Sequence, residues 1–543
     1  FLASSTVEFL GNYYQMRVLL LRRMASSLSV AQFANGEEDR KQCHVICDRA
    51  FGIIRNMTKA RVAMCTVQTC ANPIYTSAFA SPIGVCYRAE ETQGMTPFQL
   101  ALHAVQEICL ERRYAHIDDV FYAPQCDEKG QFLHFFKRAD DIIDVVHGMF
   151  GDPRYSDIAI ILTAKDNLVD KVASFLAKSR GVIPVLEQDR RYWCFRDGIF
   201  DSVRAEVLKF GPDTSGIIGH FLFDQEIPQI DPDVLGSPFF NHGIDPRDPD
   251  YFPKSTDATF KAMSTPSAND WLNNFRRDVP EFLRIFEYQS PEMPAPGSNE
   301  KQQDYHVHDQ DVLLRWILFF IGRSCQPMAS DDYQKTFVGI GEGGTGKSLV
   351  LEVVRSFFSR ENVMMFAAAG QKVFGLEGID KAMIWQIPEL RAGFSMSVTD
   401  WLSLCTGEPL VIRRKFKSAK PDAVQAHGLS FGNQFPSEFK NKKQSVSRRL
   451  ALFYFLRRVT DVDTQLSNAL RRKAPLILMY LSVAYRSGKE WMQNQGVRDV
   501  AEAWHYVFDE NLRQMETENS PLSAFLSSPL VHIHETDEKC PHN

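Results

Sequence analysis

Apolar positions along this chain fall into two patterns, and the order of those patterns predicts the architecture. Runs with apolar residues at helical spacing dominate the start, as in Tyr14 to Leu28 and Pro97 to Arg112, and predict a mostly helical region over 1–128. A mixed α/β region follows over 129–289, where the unbroken run Ile158-Ala159-Ile160-Ile161-Leu162 predicts a buried strand and Leu168 to Lys178 a helix. Pro- and Asp-rich text from Gln225 to Thr256 predicts extended loop, and Ser290 to Asp304 (S-P-E-M-P-A-P-G-S-N-E-K-Q-Q-D) predicts a linker over 290–304. Asp309 to Cys325 predicts a helical hairpin. Four short apolar runs then predict strands: Thr336 to Ile340, Ala382 to Ile387, Gly428 to Asn433 and Leu450 to Phe455. Helical spacing returns from Leu349 to Phe358, between the first two. Alternation of this kind predicts an α/β core with a parallel sheet over 305–460. Residues 461–543 predict a C-terminal helical region, with Leu476 to Tyr485 packing in a small bundle.

Bulk properties narrow the class. A chain of 543 residues is too long for one core, so several domains are expected. Net charge is −6, which leaves any nucleic-acid contact to a local basic surface. The 11 cysteines are scattered rather than densely spaced, which points to an intracellular, reducing compartment. Apolar stretches such as Leu313 to Ile321 are interrupted by Arg315 and too short to span a bilayer, so no membrane association is expected. The chain opens on Phe1 and reads as a fragment of a longer polypeptide.

The candidate chemistry begins between the first strand and its helix. Gly341-Glu342-Gly343-Gly344-Thr345-Gly346-Lys347-Ser348 has the pattern G-x-x-x-x-G-K-S of a phosphate-binding loop. The glycines let successive amides turn toward one centre, and the helix N-terminus adds partial positive charge there. Lys347 is expected to reach the β- and γ-phosphates of a nucleoside triphosphate, and the Ser348 hydroxyl to ligate Mg²⁺. Chance would produce such a match about once in a hundred chains of this length.

Further along, the second strand is closed by Pro388-Glu389-Leu390, and a carboxylate there suits the activation of water. The third strand ends in Asn433, whose amide could contact the γ-phosphate and the water together. Ser447-Arg448-Arg449 precedes the fourth strand; a surface arginine pair is ordinarily only solvated, and the alternative is a contact with a neighbouring subunit's γ-phosphate. Position immediately before the strand favours Arg449 over Arg448. Arg413, Arg414, Lys415 and Lys417 crowd around Phe416 with no acid among them, either a solvated face or a DNA-contacting hairpin.

As a set, G-E-G-G-T-G-K-S, I-W-Q-I-P-E-L, L-S-F-G-N-Q-F-P and S-R-R-L-A-L-F-Y-F resemble the superfamily 3 helicases, in particular the poxvirus-like primase-helicases of nucleocytoplasmic large DNA viruses. The stretch Cys405 to Lys417 is similar to the segment that leads to that family's DNA-contacting hairpin. Trp193-Cys194-Phe195-Arg196-Asp197-Gly198-Ile199-Phe200 resembles its aromatic-x-Phe-x-(Asn/Asp)-Gly signature. The resemblance spans about Asp309 to Arg458, extending more loosely back to Asp157 and on to about Phe525. It implies an AAA+-like ATPase core that uses ATP and Mg²⁺ and assembles as a hexameric ring around single-stranded or forked DNA. Replication proteins would be its partners, and the host cytoplasm or nucleus its location if the source is viral.

Departures from the pattern carry their own expectations. Gln386 and the single acid Glu389 stand where many nucleotide hydrolases have an acidic pair, so Mg²⁺ would rest on Ser348, phosphates and water. No convincing D-x-D pair with a following His is found, and primase activity is not expected of this chain. Cys43, His44, Cys47, Cys65 and Cys70 match no standard zinc spacing and read as core residues. Lys440, Lys442 and Lys443 are either a solvated loop or a DNA contact. The function expected is ATP-driven DNA unwinding or translocation. A packaging or nucleoprotein-remodelling ATPase and a non-catalytic nucleotide-gated scaffold are the alternatives.

Overall fold

A computed structural model describes residues 98, 102, 105, 109, 114–117, 120–138, 170–172, 174–175, 186–214, 216–240, 270–290, 300–366, 376–391, 396–412, 420–436 and 443–518. The chain divides into two compact units, Phe1–Asp189 with Gly211–Ile218, and Arg190–Phe210 with Gly219–Asn543.

In the first unit, β1 (Ala115–Ile117), β2 (Val120–Cys126) and β3 (Phe132–Arg138) form an antiparallel meander. Ala115, Ile117 and Phe136 make its small core. Residues 98, 102, 105 and 109 are helical, within the predicted Pro97 to Arg112, and Leu102, Val105 and Cys109 are buried at the spacing of one helix face. Residues 170–172, 174 and 175 are helical as well, inside Leu168 to Lys178. The predicted helix Tyr14 to Leu28, the strand Ile158 to Leu162, and Cys43, His44, Cys47, Cys65 and Cys70 lie outside the described residues.

The second unit opens with β4 (Asp189–Cys194), β5 (Gly198–Asp201) and β6 (Glu206–Lys209), antiparallel in sequence, with β7 (Gly219–Leu222) beside β4. Two short helices, α1 (Trp271–Asp278) and α2 (Pro280–Glu287), follow. Asp270 caps α1 by accepting from the amides of Leu272 and Asn273, and Pro280 stands at the first position of α2, where its missing N–H costs nothing.

The predicted hairpin from Asp309 to Cys325 is instead one helix, α3 (Glu300–Ser324), which also takes in the last five residues of the predicted linker. Glu300, Lys301, Gln302 and Gln303 are good helix formers, and nothing at the middle of the segment breaks the ladder. Arg315, which interrupts its apolar run, is buried; it donates to the Asp270 carboxylate at 2.5 Å and to the Phe239 carbonyl at 2.7 Å. Helix α3 packs on the long helix Ala474–Asn494, closely enough that a Cβ on Gly322 would fall on the Leu481 carbonyl oxygen.

Five strands, β8 (Thr336–Gly341), β9 (Val363–Met365), β10 (Ile384–Leu390), β13 (His427–Gly432) and β14 (Leu450–Phe455), make a sheet in the order β14-β8-β13-β10-β9 with every pairing parallel. A separate antiparallel pair, β11 (Pro409–Ile412) and β12 (Lys420–Ala423), stands apart from it. The helices of this part are α4 (Lys347–Arg355), α5 (Val398–Thr406), α6 (Lys443–Ser447), α7 (Leu466–Arg472), α8 (Ala474–Asn494) and α9 (Tyr506–Glu518). Strands β8, β13 and β14 are buried along nearly their whole length, as parallel strands covered on both faces are. The class is thus mixed α/β with a parallel sheet. Among the described residues, no helix is long and apolar enough to cross a membrane.

Candidate functional site

Parallel pairing brings the carboxyl ends of neighbouring strands to one edge of a sheet, where loops from several strands meet. Here the register sets Gly341 beside Phe455, Gly432 beside Ile340, and Leu390 beside Gly432. The glycine-rich loop after β8, Asn433 after β13, and Glu389 near the end of β10 therefore leave the same edge. Arg448 and Arg449 precede β14, and Leu450 pairs with Thr336, so these two arginines lie at the opposite edge.

The loop itself joins β8 to α4 with Gly344 at φ 79° and Gly346 at φ 95°, a region that favours glycine. Gly341 is required for another reason: a Cβ there would fall on the Phe455 carbonyl oxygen. The Thr345 hydroxyl donates to the Glu342 carbonyl at 3.0 Å. Lys347 opens α4 and is only 8 % exposed, with its ammonium turned back into the loop. It donates to the carbonyls of Gly341 (2.6 Å) and Glu342 (2.5 Å) and to the Thr345 hydroxyl (3.0 Å). Burial lowers its pKa, partly offset by the Glu342 carboxylate. An under-solvated cation of this kind is favoured by any anion that reaches it. Among the described residues, the amides of Gly343 and Gly344 donate to no backbone carbonyl. Gly343 and Gly344 are themselves exposed, as is Ser348 in the first turn of α4.

Glu389 and Asn433 are both exposed. The Glu389 carboxylate has Arg391 at 3.8 Å as its ion-pair partner, both open to solvent. Gln386, two residues before the strand's pairing shifts, is fully buried and donates to the Leu351 carbonyl at 3.1 Å, which ties β10 to α4. Its position is structural.

The two arginines before β14 differ sharply. Arg449 is 7 % exposed; it donates to the Ser445 carbonyl at 2.8 Å, and burial together with the charge of Arg448 lowers its pKa. Arg448 is exposed, and its carbonyl accepts from the Lys335 ammonium at 2.7 Å. Sequence position favours Arg449, but burial leaves Arg448 as the side chain free to reach outward. Arg413, Arg414, Lys415, Phe416 and Lys417 fall in 413–419, the connection between β11 and β12, and lie outside the described residues, as do Lys440 and Lys442.

Several residues around the loop escape sequence reasoning. Buried Gln289, just past α2, donates to the Thr345 carbonyl (3.1 Å) and the Arg457 carbonyl (2.7 Å), and accepts from the Arg457 amide (2.7 Å). Tyr288 donates its hydroxyl to the Arg458 carbonyl at 3.0 Å, and the Val459 amide donates to the Gly344 carbonyl at 2.9 Å. The loop is thus stitched to the segment leaving β14. The one available signal was the Arg457-Arg458 pair one residue past an apolar strand.

The aromatic signature upstream has a packing role. Trp193, Phe195 and Phe200 are fully buried, and the Trp193 indole N–H donates to the Phe357 carbonyl at 2.9 Å, just beyond α4. Asp197 accepts from the Ile227 amide at 2.8 Å, and a Cβ on Gly198 would stand 2.8 Å from the Leu208 carbonyl oxygen. The signature builds a tight hairpin against the core that carries the loop.

No family model matches the chain, and no curated protein matches it. Among solved structures it is similar to the apo A form of the NrS-1 C-terminal region, at 14% identity and a TM-score of 0.24 over 40% of this chain and 50% of that one. The chain thus spans half the length of that structure. A second A form of the same region gives 11% identity and 0.31 over 72% and 74%. A further apo structure gives 10% and 0.33 over 77% and 75%. Scores of this size carry no argument about function, which is left to the geometry of the sheet edge.

Proposed function

We propose that this chain is a nucleoside triphosphate hydrolase of the P-loop class, and that it uses ATP to unwind or translocate DNA as a superfamily 3 type ring helicase. The observation that carries the hydrolase reading is the gathering of the loop, Lys347, Glu389 and Asn433 at one edge of a parallel sheet. The residues present fit the ligand. Two positive-φ glycines, amides at Gly343 and Gly344 that donate to no backbone carbonyl among the described residues, and a buried ammonium offer donors to a polyphosphate.

Each residue then has a task. Lys347 exchanges loop carbonyls for phosphate oxygens, so the desolvated charge gains a partner as the nucleotide binds. Ser348, on the first turn of α4, would hold Mg²⁺ together with the phosphates, and that ion would supply charge neutralisation on the leaving group. Glu389 accepts a proton from the attacking water, and Asn433 orients that water from the neighbouring strand. With Gln386 occupied in joining β10 to α4, Glu389 is the acid at the strand's end. Arg448, exposed at the far edge, is suited to a γ-phosphate in a neighbouring subunit, because it cannot fold back across the sheet to its own loop. A closed ring is the assembly that lets every subunit receive one.

The DNA part of the proposal rests on the basic connection Arg413 to Lys417 between β11 and β12, with Phe416 among its cations. Strand displacement on forked DNA tests it: ATP should support unwinding, and a non-hydrolysable analogue should not. ATP turnover without displacement on any fork would favour a packaging or remodelling motor instead.

A further inference from the structure

We propose that Arg458 is a phosphate contact acting within its own subunit, clamping the polyphosphate against the Gly344 side of the loop; this rests on the hydrolase reading above. The strand order explains why an arginine so far along the chain arrives there. Because β14 runs parallel to β8 and Phe455 pairs with Gly341, the residues that leave β14 emerge beside the loop, at the edge opposite Arg448 and Arg449.

Its backbone is fixed on both sides. The Arg458 carbonyl accepts from the Tyr288 hydroxyl, the Val459 amide is bound to the Gly344 carbonyl, and Gln289 holds both polar groups of Arg457 while also holding Thr345. The side chain then runs across the loop: Arg458 Nε lies 3.4 Å, and its Cγ 3.5 Å, from where a Cβ of Gly344 would stand. Gly344 thus meets two demands at once, a positive φ and room for the arginine stem.

Arg276 pairs with Glu287 and Asp311, Arg315 with Asp270, Arg323 with Asp331, and Arg471 with Glu352. Among the described residues no carboxylate pairs with Arg458, although its backbone is as firmly placed as theirs. A planar fork of donors on this exposed side chain, beside Gly344, whose amide donates to no backbone carbonyl among the described residues, is suited to phosphate oxygens, which it can take two at a time. The ligand class is a polyphosphate, with the nucleoside indifferent to this residue.

The test is equilibrium binding of ATP and of inorganic tripolyphosphate to the full chain carrying Arg458→Lys, Arg458→Met or Lys347→Ala. Loss of a charge-assisted contact should weaken both ligands about tenfold in Arg458→Met, and Arg458→Lys should recover part of the loss. Methionine preserves a stem over Gly344 without the charge, so a role limited to packing would leave it at the parent affinity. Parent-like binding by Arg458→Met, with binding lost in Lys347→Ala, overturns the assignment of Arg458 alone. Parent-like binding by Lys347→Ala overturns the nucleotide site itself.

Discussion

Replacing Asp331 with Asn should destabilise the second unit by about 3–5 kcal/mol, because it leaves a buried guanidinium without its counter-charge. The Asp331 and Arg323 side chains are 2 % and 4 % exposed. The carboxylate accepts from Arg323 Nε at 2.9 Å and Nη2 at 2.6 Å, from the Tyr485 hydroxyl at 2.8 Å, and from the Tyr333 amide at 3.0 Å. Summed as charged hydrogen bonds at about 1.5–3 kcal/mol each, these would reach about 6 kcal/mol or more. The net loss is smaller, since the carboxylate is desolvated in the parent and that cost disappears with it. Arg323 also donates to the Lys335 carbonyl, so the network fixes the start of β8 and, through it, the position of the loop. The assay is urea denaturation of Asp331→Asn, Arg323→Met and the double variant Arg323→Met/Asp331→Leu, comparing midpoints at unchanged slope. The double variant should be more stable than either single one, because it leaves no unpaired charge. A loss below about 1 kcal/mol in Asp331→Asn would refute the reasoning, since that is the size of an exposed pair.

Acid stability should report the neighbouring His427, whose burial, reinforced by Arg323, pushes its pKa down to about 3. The unfolded imidazole takes up a proton first as pH falls, so its contribution is complete above about pH 6.5 and is lost toward pH 3 at about 1.4 kcal/mol per unit; His427→Asn should flatten stability over that window. Gly341→Ala should abolish ATP binding, because its Cβ would displace the Phe455 carbonyl, whereas Gly343→Ala, which meets nothing within 4 Å, should bind like the parent; binding titrations of the two decide it. Arg448→Ala subunits should bind ATP yet turn it over poorly, and mixing them with Lys347→Ala subunits should restore part of the activity; a mixture no better than its components, despite co-assembly, would reject a contact between subunits.

The sheet was readable because its strands are continuous apolar runs punctuated by Gly, Pro and Asn, and the four predicted runs correspond to β8, β10, β13 and β14. The end of β10 was less so. Pro388 suggests a strand finished at Ile387, yet β10 continues to Leu390. Its register against β13 shifts between Ile387 and Leu390, and its pairing with β9 ends at Gln386, so the proline removes no ladder bond that either neighbour needs. Helix α3 was misread at both its start and its middle because polar helix formers and linker residues share a composition. The residues around the loop divide the same way. Gly341 to Ser348 lie in one contiguous motif, but Gln289 and Arg458 reach it from 56 and more than 100 positions away. Only the parallel placement of β14 beside β8 brings them there, and periodicity in one strand does not reveal its neighbours.

The most direct test of the account is ATP binding and turnover by Glu389→Gln beside the parent chain. A carboxylate that acts on water and not on phosphate predicts parent-like ATP affinity with turnover slowed by about a hundredfold or more. Hydrolysis by Glu389→Gln at the parent rate, or a parent chain that binds no ATP, would contradict it.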